Sequence, residues 1–286
     1  MAAPKELSRA KAHGGFVVKF SHQSSLLGCE MKYSVFLPPN YATNLNHKFP
    51  TLYFLSGLTC TEDNFMQKAG GKNVMAELGL IVVSPDTSPR GLGIEGEDDS
   101  WDFGTGAGFY VDATEEKWKN YKMYSYITEE LPKTVEGHLR IDTAKVGVFG
   151  HSMGGHGAIV LGLRNPEKYK SISAFAPIAN PMNVPWGKKA FSNYLGATNT
   201  SAWSKYDSTT LIESYNGPKR DVLVDQGTSD NFLEEQLQVF KLTSAAETND
   251  KVQVQVRMQE GYDHSYFFIS TFVEDHLRWH AEKLSK

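Results

Sequence analysis

Gly150-His151-Ser152-Met153-Gly154 spells G-x-S-x-G, with the apolar run "KVGVFG" before it and "GGHGAIVLGL" after it. That order predicts a strand, a sharp turn and a helix. In such a nucleophile elbow a strained turn exposes the serine Oγ, and small residues two positions to either side prevent collisions. The helix that starts behind the serine aims backbone N–H groups at developing negative charge. The chemistry this predicts is acyl transfer through Ser152.

A serine hydroxyl is a poor nucleophile without a base beside it. Behind an elbow of this kind an acid and then a histidine follow in chain order, each on a loop after a strand. His264 in "EGYDHSYFF" lies just beyond the strand-like "KVQVQVRMQ" and is the expected base. His276 and His280 fall inside the last helical stretch, as surface or packing residues. His151 and His156 flank the serine too closely to fold back onto it. The acid should follow "DVLVDQG". Asp230 in "GTSDNF" is favoured because a loop position can reach across to His264, with Asp225 at the strand end and Asp263 beside the histidine as weaker choices. The oxyanion hole is expected from the N–H of Met153 and from that of Leu58, in the turn Ser56-Gly57-Leu58 after the strand "FPTLYFLSG". No H-E-x-x-H occurs, and two cysteines cannot form a zinc cage, so neither metal nor cofactor is expected.

The elements that must position these groups alternate along the chain. Strands are expected at "MKYSVFLPP", "FPTLYFLSG", "LGLIVVSPD", "KVGVFGHS", "YKSISAFAPI", "RDVLVDQG" and "KVQVQVRMQ". Helices are expected near 62–78, 120–139, 153–165, 231–247 and 265–284. This alternation implies an α/β fold with a mostly parallel sheet covered by helices on both faces. No linker divides residues 1–286, which read as one domain. Residues 86–118 and 180–203 break the pattern and are candidate cleft walls, since open α/β sheets bind ligands beyond the carboxyl ends of their strands. Within the first, "GLGIEG" matches G-x-G-x-x-G, but it follows no strand directly and runs into "EDDSWD", whose acids would repel a pyrophosphate.

Composition bounds the function further. The 286 residues are 40% hydrophobic and 22% charged with a net charge of −4, which gives no electrostatic footprint for nucleic acid. Cys29 and Cys60 offer no disulfide framework. Neither a secretory h-region nor a run long enough to cross a membrane is present, so a cytoplasmic enzyme is the expectation.

Taken together, "SGLTCTEDNF", "SPDTSPRG", "WDFGTGAGFYVDAT", "GHSMGGHGA" and "YDHSYFFI" closely resemble the S-formylglutathione hydrolase, or esterase D, family across essentially the whole chain. The resemblance implies an α/β-hydrolase fold, a cytosolic homodimer, and hydrolysis of S-formylglutathione to glutathione and formate. It carries the nucleophile, acid and base onto Ser152, Asp230 and His264, and the oxyanion donors onto Leu58 and Met153. It also puts a thiol at Cys60 beside the site, where modification would block the cleft; the alternative is a small buried hydrophobe. Glutathione has two carboxylates and an ammonium, so cations are expected around it. Lys188 and Lys189 are candidates, with Trp186 as a wall of the acyl pocket. An acyltransferase or general carboxylesterase would use the same triad, and a binding protein could retain the fold.

Overall fold

The computed structural model describes residues 3–286. Nine strands form one sheet: β1 (Lys5–Ala12), β2 (Gly15–Gln23), β3 (Glu30–Leu37), β4 (Phe49–Leu55), β5 (Ile81–Pro85), β6 (Ile141–His151), β7 (Ser171–Phe175), β8 (Arg220–Gly227) and β9 (Val252–Gln259). Their order is β1-β2-β3-β5-β4-β6-β7-β8-β9. From β5 to β9 every neighbouring pair is parallel, whereas β1, β2 and β3 join antiparallel. The inner parallel strands are buried through most of their length, as expected where helices cover both faces, while the edge strand β9 is largely open.

Alternation along β7 shows the two layers. An added Cβ at Gly162, on the helix Met153–Arg164, would meet Ile172. The neighbouring Ser171 and Ser173 instead hydrogen-bond His280 and His276 of the helix Tyr266–Ser285. Successive strand residues face opposite ways, so these two helices pack on opposite faces of the sheet.

The N-terminal pair β1 and β2 differs from the sequence expectation, which placed no strands there. "KELSRAKA" is rich in helix formers and β1 is almost wholly exposed. It is a strand because His13 and Gly14, both at positive φ, turn the chain back and pair it with β2. Tertiary pairing overrides propensity here. The helix expected over 62–78 is two pieces, Asp63–Lys68 and Lys72–Leu78, parted by Gly70 and Gly71 at φ 73° and 67°.

Residues 86–118 carry little regular structure yet bury Phe103, Phe109, Tyr110 and Trp118. The Glu97 carboxylate accepts the N–H groups of Gly93 (2.6 Å) and Ile94 (3.1 Å). The donors that a G-x-G-x-x-G loop would turn to a phosphate are thus taken by the chain's own anion.

Candidate active site

The elbow forms where β6 meets the helix Met153–Arg164. Ser152 has φ 58° and ψ −119°, a strained backbone for a residue with a Cβ. Its N–H donates to the Phe175 carbonyl at 2.9 Å, and its C=O accepts from His156 N–H at 3.0 Å. The flanking glycines are required by contact. A Cβ on Gly150 would lie 2.3 Å from the Gly154 carbonyl oxygen, and one on Gly154 would lie 1.9 Å from that of Leu55.

His264 hangs from the loop after β9, and its Nδ1 lies 2.6 Å from Asp230 Oδ2. A carboxylate only accepts, so Nδ1 carries the proton and Nε2 presents a lone pair. Asp230 is buried and also accepts the Phe232 N–H at 2.9 Å and the Gln226 side-chain amide at 3.2 Å. The His264 ring meets the edge of Phe232 and lies over His151, with centroids 5.2 and 4.4 Å apart. No hydrogen bond joins Ser152 Oγ to His264 among the described residues; in free enzymes such bonds are often long and tighten when substrate binds.

The turn after β4 faces the elbow. Gly57 approaches so closely that an added Cβ would be 3.1 Å from Ser152 Cβ. Among the described residues Leu58 N–H donates to no backbone carbonyl, and Met153 N–H precedes the first i→i−4 bond of its helix, from His156 to Ser152. Residues 86–118 brace this turn. Tyr110 Oη donates to Ser56 O (2.9 Å), Thr59 N–H to Gly106 O (2.9 Å), and Thr87 and Arg90 both donate to Cys60 O.

These groups line a cleft of about 120 Å³ with Cys60, Trp101, Trp186, Phe232 and Tyr266 around them. Such a volume suits a very small acyl group. Among the described residues no cluster of three or more His, Cys, Asp or Glu side chains is arranged to hold a metal.

The family model described as "Putative esterase" matches residues 24–279. S-formylglutathione hydrolase of Bos taurus is 55% identical over 284 residues, spanning 99% of both chains. The S-formylglutathione hydrolase of Rattus norvegicus is 53% identical, spanning 98% of this chain and 99% of the relative. The chain belongs to the S-formylglutathione hydrolase family. The solved structure of the S-formylglutathione hydrolase from Agrobacterium tumefaciens superposes with a TM-score of 0.93 at 47% identity, covering 98% and 99% of the two chains. The fold is accordingly α/β-hydrolase.

In this family member Asp225 and Asp263 do not reach His264. Asp225 is buried against Arg257 (2.6 Å to each oxygen) and His276, and Asp263 accepts from Ser265. His276 and His280 are wholly buried, so the packing alternative holds for them and the surface one does not. Trp186 lines the cleft, but neither lysine beside it does. Lys189 donates to Asp102 at 2.5 Å and to Ser100, and Lys188 points to solvent on the same helix. An anion drawn to Lys189 would have to displace Asp102. Cys60 lines the cleft, and burial pushes its thiol pKa up, which keeps it protonated and poorly nucleophilic.

Four cleft residues were not singled out from sequence. His151, expected only to flank the serine, is buried and lines the cleft; among the described residues both its ring nitrogens lack partners, and burial holds its pKa well below the ordinary value. Phe232 and Tyr266 each stand two residues after a triad candidate, and that spacing was an available signal. Trp101 lies within 86–118, which was expected as a wall only as a region.

Proposed function

We propose that this chain is a serine hydrolase that cleaves S-formylglutathione to glutathione and formate, with side activity on activated carboxylesters. The observation that carries the reading is the Asp230–His264 pair, opening onto the same small cleft as the Ser152 elbow. The full-length likeness to proteins named S-formylglutathione hydrolase supports the choice of substrate.

In the proposed reaction His264 Nε2 takes the Ser152 proton as Oγ bonds to the formyl carbon. The carbonyl π pair moves onto oxygen, and the oxyanion accepts from Leu58 and Met153 N–H, a pair of preorganised donors of which each contributes on the order of 10²–10³ in rate. Collapse breaks the C–S bond and the proton on His264 passes to sulfur. A cysteine-type thiol has a pKa of about 8.5, so this leaving group needs little acid assistance. Water then gives a proton to His264 and attacks the formyl-serine. Collapse of the second intermediate returns the proton to Ser152 and releases formic acid, which loses its proton to solvent as formate. Asp230 holds the imidazole tautomer and stabilises the imidazolium without being protonated itself.

Steady-state turnover of S-formylglutathione beside 4-nitrophenyl acetate, for wild type and Ser152→Ala, tests this reading. A kcat/KM preference for the thioester, with both activities lost in Ser152→Ala, is expected. Ester cleavage without thioester cleavage would retain the triad and discard the substrate. We further infer, from the family resemblance, a cytosolic homodimer; sedimentation at micromolar concentration would reveal a monomer if that part is wrong.

A further inference from the structure

The cleft of about 120 Å³ is too small for the whole substrate, since ligand sites of drug-like size occupy roughly 300–1,000 Å³. It accommodates the acyl end and leaves the tripeptide to be held elsewhere. Beside it runs an open groove of about 590 Å³, lined by Lys68, Ser265, Tyr266, Phe267 and Ser270. Tyr266 belongs to both spaces and forms the wall between them.

Two local signals build the groove. Gly70 and Gly71, at positive φ, end the segment carrying Lys68. Across from it the helix Tyr266–Ser285 begins, with the Ser265 hydroxyl accepting Phe267 N–H at 3.2 Å. Phe267, 83% exposed, forms an apolar part of the groove's rim.

Charge distinguishes this groove from the other cleft walls. Arg90 is held by Asp86 and Lys189 by Asp102. Lys68 has no acidic partner among the described residues; its ammonium stands 5.8 Å from the Tyr266 ring centroid, and its charge is felt at Cys60 inside the cleft. Direction agrees as well. The leaving sulfur must sit beside the group that protonates it, and the groove opens at Ser265 and Tyr266, the two residues directly after His264.

We propose that this groove is the subsite for the glutathionyl leaving group, with Lys68 paired to one of its carboxylates, Ser265 and Ser270 offering hydroxyls, and Phe267 packing against its methylene groups. The proposal rests on the S-formylglutathione reading above. Lys68 and Ser270 are exposed, so substitutions there leave the core intact.

The test measures kcat and KM of the full chain on S-formylglutathione and on 4-nitrophenyl acetate for wild type, Lys68→Glu and Ser270→Tyr. The thioester-to-ester ratio of kcat/KM should fall by about tenfold in each variant, carried by KM for the thioester, as expected for reversing or obstructing one ion-pairing contact. The inhibition constant of free glutathione should rise in parallel. Ratios within about twofold of wild type in both variants would overturn the subsite while leaving the substrate assignment standing. A wild-type enzyme that ignores S-formylglutathione yet cleaves the ester would instead remove the substrate reading, and the subsite with it.

Discussion

The Asp230 carboxylate meets His264 Nδ1 at 2.6 Å while accepting two further hydrogen bonds, from Phe232 N–H and the Gln226 amide. With three donors around a buried group, the acid is fixed in place and fixes the imidazole tautomer in turn. Asp230→Asn should therefore retain the fold and lower kcat by about 10⁴, because the amide stabilises the wrong tautomer. Kinetics together with a thermal melt check this; a loss under tenfold would mean that His264 is oriented by something else.

The elbow glycines should differ sharply from Gly57. In Gly154→Ala the new methyl would sit 1.9 Å from the Leu55 carbonyl oxygen, which is backbone of an adjoining strand and cannot move aside. Overpacking of this kind costs about 3 kcal/mol or more, so insoluble or strongly destabilised protein is expected. Gly57→Ala makes milder contacts, 3.1 Å to Ser152 Cβ and 3.3 Å to the His151 carbonyl oxygen. It should fold with a small change in Tm and lose on the order of 10²-fold in kcat, since it shifts the nucleophile by a fraction of an ångström.

A chain of buried hydrogen bonds ties the last helix to the sheet. Arg257 and His276 Nε2 donate to Asp225; Ser173 donates to His276 Nδ1 (2.7 Å), His280 Nε2 to Ser173 Oγ (2.8 Å), and Ser171 to His280 Nδ1 (2.6 Å). Each imidazole donates once and accepts once, so both are satisfied while neutral. Asp225→Ala would leave Arg257 with Asp275 and solvent but deprive the buried His276 Nε2 of its acceptor, at a cost of about 1–3 kcal/mol. Urea unfolding should show that loss. A variant as stable as wild type would mean that the network contributes little.

Acid sensitivity should begin well above the carboxylate range. His22, His138, His151, His156, His276 and His280 all have pKa values lowered first by burial, His156 to about 4. The unfolded chain takes up these protons near pH 6.5 and the native chain does not, so stability is full above that pH and falls as pH drops towards 4. His156 alone accounts for about 3 kcal/mol across the window. Urea midpoints at about pH 7 and about pH 5 should differ clearly, and equal midpoints would contradict the account.

Much of this architecture is legible from local pattern. The elbow needs five consecutive residues, and the proposed acid and base, Asp230 and His264, stand on loops just beyond the apolar run of β8 and the alternating β9. What escapes sequence depends on distant partners. Lys189 reads as an available cation until Asp102, 87 positions earlier, is found beside it. His276 and His280 look like ordinary helical residues until Ser171 and Ser173, more than a hundred positions earlier, receive them. "KELSRAKA" becomes a strand only through its pairing with β2.

The central claim is that Ser152 is the acyl-accepting nucleophile, activated by His264. Labelling the full chain with a fluorophosphonate, followed by intact mass and peptide mapping, tests it most directly. One adduct per chain on Ser152 is expected, with S-formylglutathione turnover lost in proportion and labelling greatly slowed in His264→Ala. An adduct on another residue, or turnover that survives complete labelling of Ser152, would contradict it.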